Sequence, residues 1–394
     1  MEQSTREFVP AASSEVQDAN EYESADRSLE DRNNRYSAAR SKRTMDADLL
    51  TILNLAIELD LPSVDLATLG VESGRDPKVS ERSAYALGEG YSCTVIRHVM
   101  QEDGPSDLPA GTTVALKKYR PNIPGPGESR RSNTAQTYNT LRKEILVHSA
   151  LKEHENICKL LFLGWEAGSP IPLLALELAA FGSLEYVLCS PGVGPTFLQK
   201  QYLTVDIARG LNALHLCNVC HVDLKPANIL VQRQSDRVIA KIADFGGAAH
   251  PNSQPTVGTP LWSAPEVLLG GGSIDWVKAD VYSFGLIIAS LWLRPSYMGD
   301  ACETSSCYLD WTISEGLTGS LRSNALLLSK LKPDGDAGSV LAIALQQLDE
   351  QSTNAIQSIL RASLSTYGRR RKIMAEILRG ELFQIVESVH PSIR

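Results

Sequence analysis

Asp223, Lys225 and Asn228 bring a carboxylate, an ammonium and a carboxamide together in the string His-Val-Asp-Leu-Lys-Pro-Ala-Asn-Ile-Leu, residues 221–230. Pro226 and Asn228 bias the segment towards loop, and an apolar run begins at Ile229. Base, cation and metal ligand thus share one short loop. The layout suits movement of a phosphoryl group, in which a carboxylate orients the nucleophile and cations screen phosphate oxygens.

Chemistry of that kind needs a nucleotide held beside the loop, and candidate elements lie on both sides of it. Upstream, strand signals begin near Ser83 and enclose Gly88 and Gly90, and glycines let a hairpin backbone approach phosphates closely enough for its amides to donate. Val95 follows in the second strand of that hairpin. Val114-Ala115-Leu116-Lys117 is a β-branched, alternating stretch. Side chains alternate in a strand, so Ala115 leaves room for a base on the same face from which Lys117 reaches for phosphates.

Residues 121–134, with three prolines and several Gly and Ser, read as a flexible connection. Thr137 to Leu151 then reads as a helix with Leu141, Ile145 and His148 at i, i+4 and i+7. Glu144 lies on that inner face, where a carboxylate needs a partner, and Lys117 is the obvious one. Strands are expected at 158–165 and 171–177, and a helix from Phe197 to Leu216 leads into the polar loop. Beyond Ile229–Val231, Ala240–Ala243 restarts a strand that ends in Asp244-Phe245-Gly246. Asp244 offers the hard oxygen that magnesium prefers, and the glycine allows a sharp turn.

Composition bounds the function. The chain has 394 residues, 43% of them hydrophobic, and a formal charge of -8, which gives no general attraction to nucleic acid or to an anionic membrane. The most apolar run, Val281 to Leu293, falls short of the roughly 20 residues needed to cross a bilayer, so a buried core helix is expected. No secretory signal is visible at the N-terminus. Seven cysteines fit a reducing compartment; Cys217 and Cys220 form a CxxC, but there is no second one to complete a zinc site. A cytoplasmic location is expected; Arg40-Ser41-Lys42-Arg43 reads first as a solvated charge run and otherwise as a signal giving nuclear access.

Five segments are expected: a disordered tail over 1–45, a helix and linker over 46–80, two lobes over 81–178 and 179–382, and a tail over 383–394. The helix at 46–59 follows from the apolar spacing of Leu49, Leu50, Ile52, Leu53, Leu55 and Ile57. It either packs on the following domain or docks a partner.

Taken in order, these strings resemble the signature set of the eukaryotic protein kinases. Leu87-Gly88-Glu89-Gly90-Tyr91-Ser92-Cys93 resembles the glycine-rich loop, with Cys93 in place of its third glycine. Leu176 to Leu184 resembles the hinge, Asp244-Phe245-Gly246 the DFG turn, and Gly258 to Glu266 the substrate-docking loop with its APE close. The resemblance covers about residues 83 to 380 and implies an α+β, two-lobed fold: a small antiparallel sheet with one long helix, a larger helical lobe, and a nucleotide cleft between them.

It also implies roles. Asp223 is the catalytic aspartate and Lys225 neutralises charge on the transferred group; Lys117, positioned by Glu144, holds the α and β phosphates of ATP; Asn228 and Asp244 bind Mg2+. The backbones of Glu177 and Ala179 would bind adenine, with Leu176 as gatekeeper. Asp280 would anchor the catalytic-loop backbone, and Arg371 would pair with Glu266. Lys225 resembles serine/threonine rather than tyrosine kinases, and Asp280-Val281-Tyr282-Ser283-Phe284-Gly285 resembles the tyrosine-kinase-like group. The rival implication is a pseudokinase scaffold, whose mark is loss of the lysine or of either aspartate; Lys117, Asp223 and Asp244 are all present.

Two departures carry expectations of their own. Val222 stands where many members have an arginine that holds a phosphorylated activation segment, so phosphorylation at Ser253, Thr256 or Thr259 is expected to be dispensable. Cys93, near Lys117, reads first as a tolerated small residue; the alternative is a thiol of lowered pKa and redox sensitivity.

Overall fold

The computed structural model describes residues 47–69, 86–89, 93–105, 107–120, 130–190, 194–255, 258–270, 272–293, 350–365, 368–380 and 383–384. The expected tail over 1–45, Gly90, Ser92, Thr256 and the stretch 294–349 lie outside these residues.

The N-terminal lobe is a six-stranded sheet in the order β1-β5-β6-β4-β3-β2. Its strands are β1 (Ser63–Asp65), β2 (Ala86–Glu89), β3 (Cys93–Val99), β4 (Thr113–Tyr119), β5 (Leu160–Trp165) and β6 (Leu173–Glu177). All neighbours are antiparallel except β1, which pairs parallel with β5. The expected linker therefore gives an edge strand and a 3-10 turn, Leu66–Leu69, whose Leu66 is buried. Polar composition predicted a connection; the pairing of Ser63 with Leu163 and Val64 with Gly164 overrides it.

Strand alternation sorts the sheet into two apolar faces. Val114 and Leu116 join Leu66, Met100 and Phe162 on one face, while Ala115 and Tyr119 join the helices α1 (47–58) and α2 (Arg130–Ala150) on the other. Helix α1 buries Ile52, Leu55 and Ala56 against Tyr138, Leu141 and Ile145 of α2, so its main apolar stripe serves the lobe itself. Leu50 and Ile57 remain exposed on its outer side.

Helix α2 begins at Arg130, within the stretch expected to be a flexible connection. Its inner face follows the spacing, with Leu141, Glu144, Ile145 and His148 all buried. The helix carries few apolar residues, and its placement is set by that one packed stripe.

The C-terminal lobe is helical around a short hairpin. Its elements are α3 (Leu184–Cys189), α4 (Phe197–Leu216), β7 (Ile229–Gln234), β8 (Arg237–Ile242), α5 (Pro265–Leu269), α6 (Trp276–Leu293), α7 (Glu350–Ser363) and α8 (Met374–Ile377). Thr196 starts α4 with a capping box: its hydroxyl accepts from Gln199 N, and the Gln199 side chain accepts from Thr196 N. Helix α6 is buried on nearly every side, which explains its continuous apolar run. No helix among the described residues is long and apolar enough to cross a membrane. Phe383, expected in a C-terminal tail, is buried in this core.

Candidate active site

The loop 221–228 is shaped by a residue far along the chain. Asp280, near the start of α6, accepts from His221 N at 2.7 Å and Val222 N at 2.9 Å, and lies 3.1 Å from His215 Nε2 of α4. Val222 has φ 71°, a left-handed conformation costly for a β-branched residue, and the two bonds to one buried carboxylate hold it there. The Val222 side chain packs against the C-lobe core.

Asp223 then projects into a small polar unit. Its Oδ2 accepts from Lys225 Nζ at 2.7 Å and its Oδ1 from Thr259 N at 2.6 Å, while Lys225 Nζ also donates to Thr259 Oγ1 at 2.8 Å. Gly258 makes this possible, because a Cβ there would stand 2.6 Å from Val222 O and 2.9 Å from Asp223 Oδ1. The segment ending at Thr259 thus lies directly on the loop 221–228. Sequence spacing gave no sign of this need at Gly258.

Asn228 belongs to the same unit. Its Nδ2 donates to Asp223 O at 2.9 Å, and its carbonyl accepts from Ala243 N at 2.9 Å, which sets it beside Asp244. Asp244 sits at φ 64° and turns its Oδ1 to Lys117 Nζ at 2.7 Å. Lys117 also donates to both oxygens of Glu144, at 2.7 and 2.9 Å. One ammonium from β4 therefore joins α2 to the DFG turn. The Phe245 ring lies edge-on between His148 of α2 and His221.

Charge balance follows from burial. Desolvation alone would lower the Lys117 pKa, but Asp244 and Glu144 hold it well above the ordinary lysine value. Burial works to raise the Glu144 pKa, and Lys117 overcomes it and holds the carboxyl below its usual range. For Asp244 the attraction of Lys117 outweighs burial, and its pKa falls to about 2. Both acids are anionic and the lysine cationic at neutral pH.

The pair Asn228 and Asp244 suits magnesium. That ion favours hard oxygens and keeps several water or phosphate ligands, so a carboxylate and a carboxamide suffice, and 44% of the Asp244 side chain is exposed. No cluster of three or more His, Cys, Asp or Glu is placed to hold a metal among the described residues. Cys217 is exposed and Cys220 buried, and all five described cysteines are free.

The residues expected to face a nucleotide meet in one apolar cluster that spans both lobes: Val95 and Ala115 with Leu176, Leu178, Leu230 and Ala243. Val95 pairs with Lys117 and Ala115 with Leu176 across β4, so the small residue faces the gatekeeper position. Gly88 pairs with Val95, and a Cβ there would meet nothing within 4 Å among the described residues. Ala179 accepts from Gly182 N at 3.1 Å in the turn after β6.

Three side chains were missed from spacing alone. Glu177 was expected to act through its backbone, yet its carboxylate accepts from Lys159 N at 2.7 Å and from buried Lys241 Nζ of β8 at 2.7 Å, bracing the hinge to the strand that precedes Asp244. Tyr119 donates its hydroxyl to Glu144 Oε2. Lys241 and Tyr119 were legible only as strand residues. At Cys93 burial raises the thiol pKa more than Lys117 lowers it, so the thiol stays protonated at neutral pH, which fits a tolerated small residue and not the redox-sensitive alternative.

The Protein kinase domain family matches residues 83–315, more than half of the chain, and the chain belongs to that family. Among curated proteins it is similar to "Probable serine/threonine-protein kinase drkC" of Dictyostelium discoideum, 36% identical over 159 residues that make up 38% of this chain and 20% of that protein. It is also similar to "Serine/threonine-protein kinase CTR1" of Arabidopsis thaliana, 34% identical over 166 residues, 40% of this chain and 19% of the relative. A third is "Putative serine/threonine-protein kinase/receptor R831" of Acanthamoeba polyphaga mimivirus, 39% identical over 152 residues, 37% of this chain and 9% of that protein. The chain covers a fifth or less of the length of each.

Proposed function

We propose that the protein is an ATP-dependent serine/threonine protein kinase. The observation that carries this reading is the hydrogen-bonded unit of Asp223, Lys225 and Thr259, set beside the Asn228 and Asp244 oxygen pair. Asp223 orients a substrate hydroxyl and accepts its proton; a carboxylate is a weak base, which suffices where the transition state is loose. Lys225, held within reach of the same acceptor, stabilises charge on the transferred phosphoryl group. Lys117 holds the nucleotide phosphates, and Glu144 fixes where its ammonium points. Asn228 and Asp244 would hold magnesium, which when bound neutralises phosphate charge.

Transfer of labelled phosphate from ATP to a generic protein substrate, read by phosphoamino acid, tests this. Label on serine and threonine that disappears in Lys117→Met supports a kinase. Stabilisation by Mg-ATP without transfer would instead favour a scaffold.

The tyrosine-kinase-like group is the placement we propose within the family, on the string Asp280 to Gly285. A reducing, cytoplasmic setting with nuclear access is proposed with it; the five free cysteines among the described residues support a reducing compartment. The substrate is a protein hydroxyl, and the exposed Leu50 and Ile57 of α1 are where that helix would meet a partner.

Control by phosphorylation is expected to differ from that of relatives with arginine before the aspartate. Val222 presents no cation, and Ser253 is exposed with its hydroxyl donating to His250 O at 2.6 Å. Ser253→Ala is expected to retain basal activity within about twofold, since nothing at Val222 would bind a phosphate there. A loss of tenfold or more in folded protein would show that another cation takes the arginine's place. Thr259 is unsuited to this test because it contacts Asp223 and Lys225 directly.

A further inference from the structure

We infer that Tyr119 is a positioning residue for phosphoryl transfer, acting through Glu144 on Lys117; the inference rests on the kinase reading above. Strand alternation puts Lys117 and Tyr119 on one face of β4, and both reach the same carboxylate of α2. Glu144 Oε2 accepts from Lys117 and from the Tyr119 hydroxyl, while Oε1 accepts from Lys117 and lies 3.8 Å from His148 Nε2. Lys117 Nζ also stands 5.3 Å from the centre of the Tyr119 ring. Glu144 is fully buried and Tyr119 is 5% exposed, so water is not available to replace either partner.

The arrangement addresses a problem set by sharing. Lys117 serves Glu144 and Asp244 together, and on the kinase reading it must also turn to phosphate oxygens. A buried carboxylate that loses part of its bond to a cation is costly and prone to swing away. The Tyr119 hydroxyl is a second donor that no phosphate competes for. Burial, then the nearby Glu144 charge, raise the phenol's pKa well above its usual value, so it remains a donor at neutral pH. The carboxylate thereby stays oriented while the ammonium moves, and α2 stays in register with β4.

Tyr119→Phe tests the idea because it removes the hydroxyl and keeps the ring in its cluster. Steady-state transfer with Mg-ATP varied is expected to show kcat/KM reduced about tenfold, mostly as a raised KM for ATP, with a melting temperature within about 2 °C of wild type. A kcat/KM within twofold of wild type would overturn the inference. So would failure to fold, or a melting temperature lowered by more than about 5 °C, since the hydroxyl would then be a structural support. If the wild-type chain transfers no phosphate, the kinase reading fails. The inference is then judged by thermal stabilisation with Mg-ATP alone: a weaker response in Tyr119→Phe sustains it, and an equal response removes it.

Discussion

Asp223→Asn is expected to lower phosphoryl transfer by about 10²–10⁴-fold, the usual scale for removing a positioned acid or base. The substitution preserves shape but leaves only one oxygen to accept, where the aspartate now accepts from both Lys225 and Thr259 N. The nucleotide side has its own framework in Lys117, Glu144 and Asp244, none of which bonds directly to the Asp223 side chain. Stabilisation of the protein by Mg-ATP should therefore stay close to wild type. Single-turnover transfer beside a melting curve checks both halves. A variant that keeps more than a tenth of the rate would show that Asp223 is not the group that handles the hydroxyl proton.

Glu266→Ala should cost about 3 kcal/mol of stability, the lower end of the range for breaking a buried ion pair, because Glu266 is partly exposed. Arg371 is 2% exposed and bonds in fork geometry to Glu266 at 2.6 and 2.8 Å, with further bonds to the carbonyls of Ser365 and Lys278 and its guanidinium 4.6 Å from the Tyr282 ring centre. Removing the carboxylate strands a buried charge that those carbonyls do not neutralise. A fall in melting temperature of about 6–12 °C is expected. The double variant Glu266→Ala, Arg371→Met should recover part of it, because the uncompensated charge is then gone. No change beyond about 2 °C in the single variant would count against a structural role for the pair.

Both sites are anticipated from the sequence, the pair of Glu266 and Arg371 only through the family resemblance. Asp223, Lys225 and Asn228 are legible because their chemistry depends on types and short spacing within one loop. The Lys117 and Glu144 pairing is legible as well, since a strand lysine and an inward helical carboxylate each need a partner that local structure cannot supply. The helix at Phe197–Leu216 announces itself by its apolar period.

The rest waited for tertiary contacts, for identifiable reasons. The stretch after Pro62 reads as a linker, yet three residues of it form β1, because β5 offers a free edge to pair with. Arg130 to Thr134 reads as loop from composition but continues α2. Whether Lys117 activates Cys93 stayed open in the sequence, and its burial, which no sequence displays, decides against it.

Residue types and their order set the chemistry: which groups exist, in what succession, and on which kinds of element. Packing sets who shares a partner with whom. One lysine divides itself between Glu144 and Asp244, Asp280 holds Val222 in a left-handed turn, Gly258 lets Thr259 reach Asp223, and Tyr119 takes the far oxygen of Glu144. Each of these depends on elements separated in the chain meeting within hydrogen-bond distance, and such distances are set by packing rather than by local spacing.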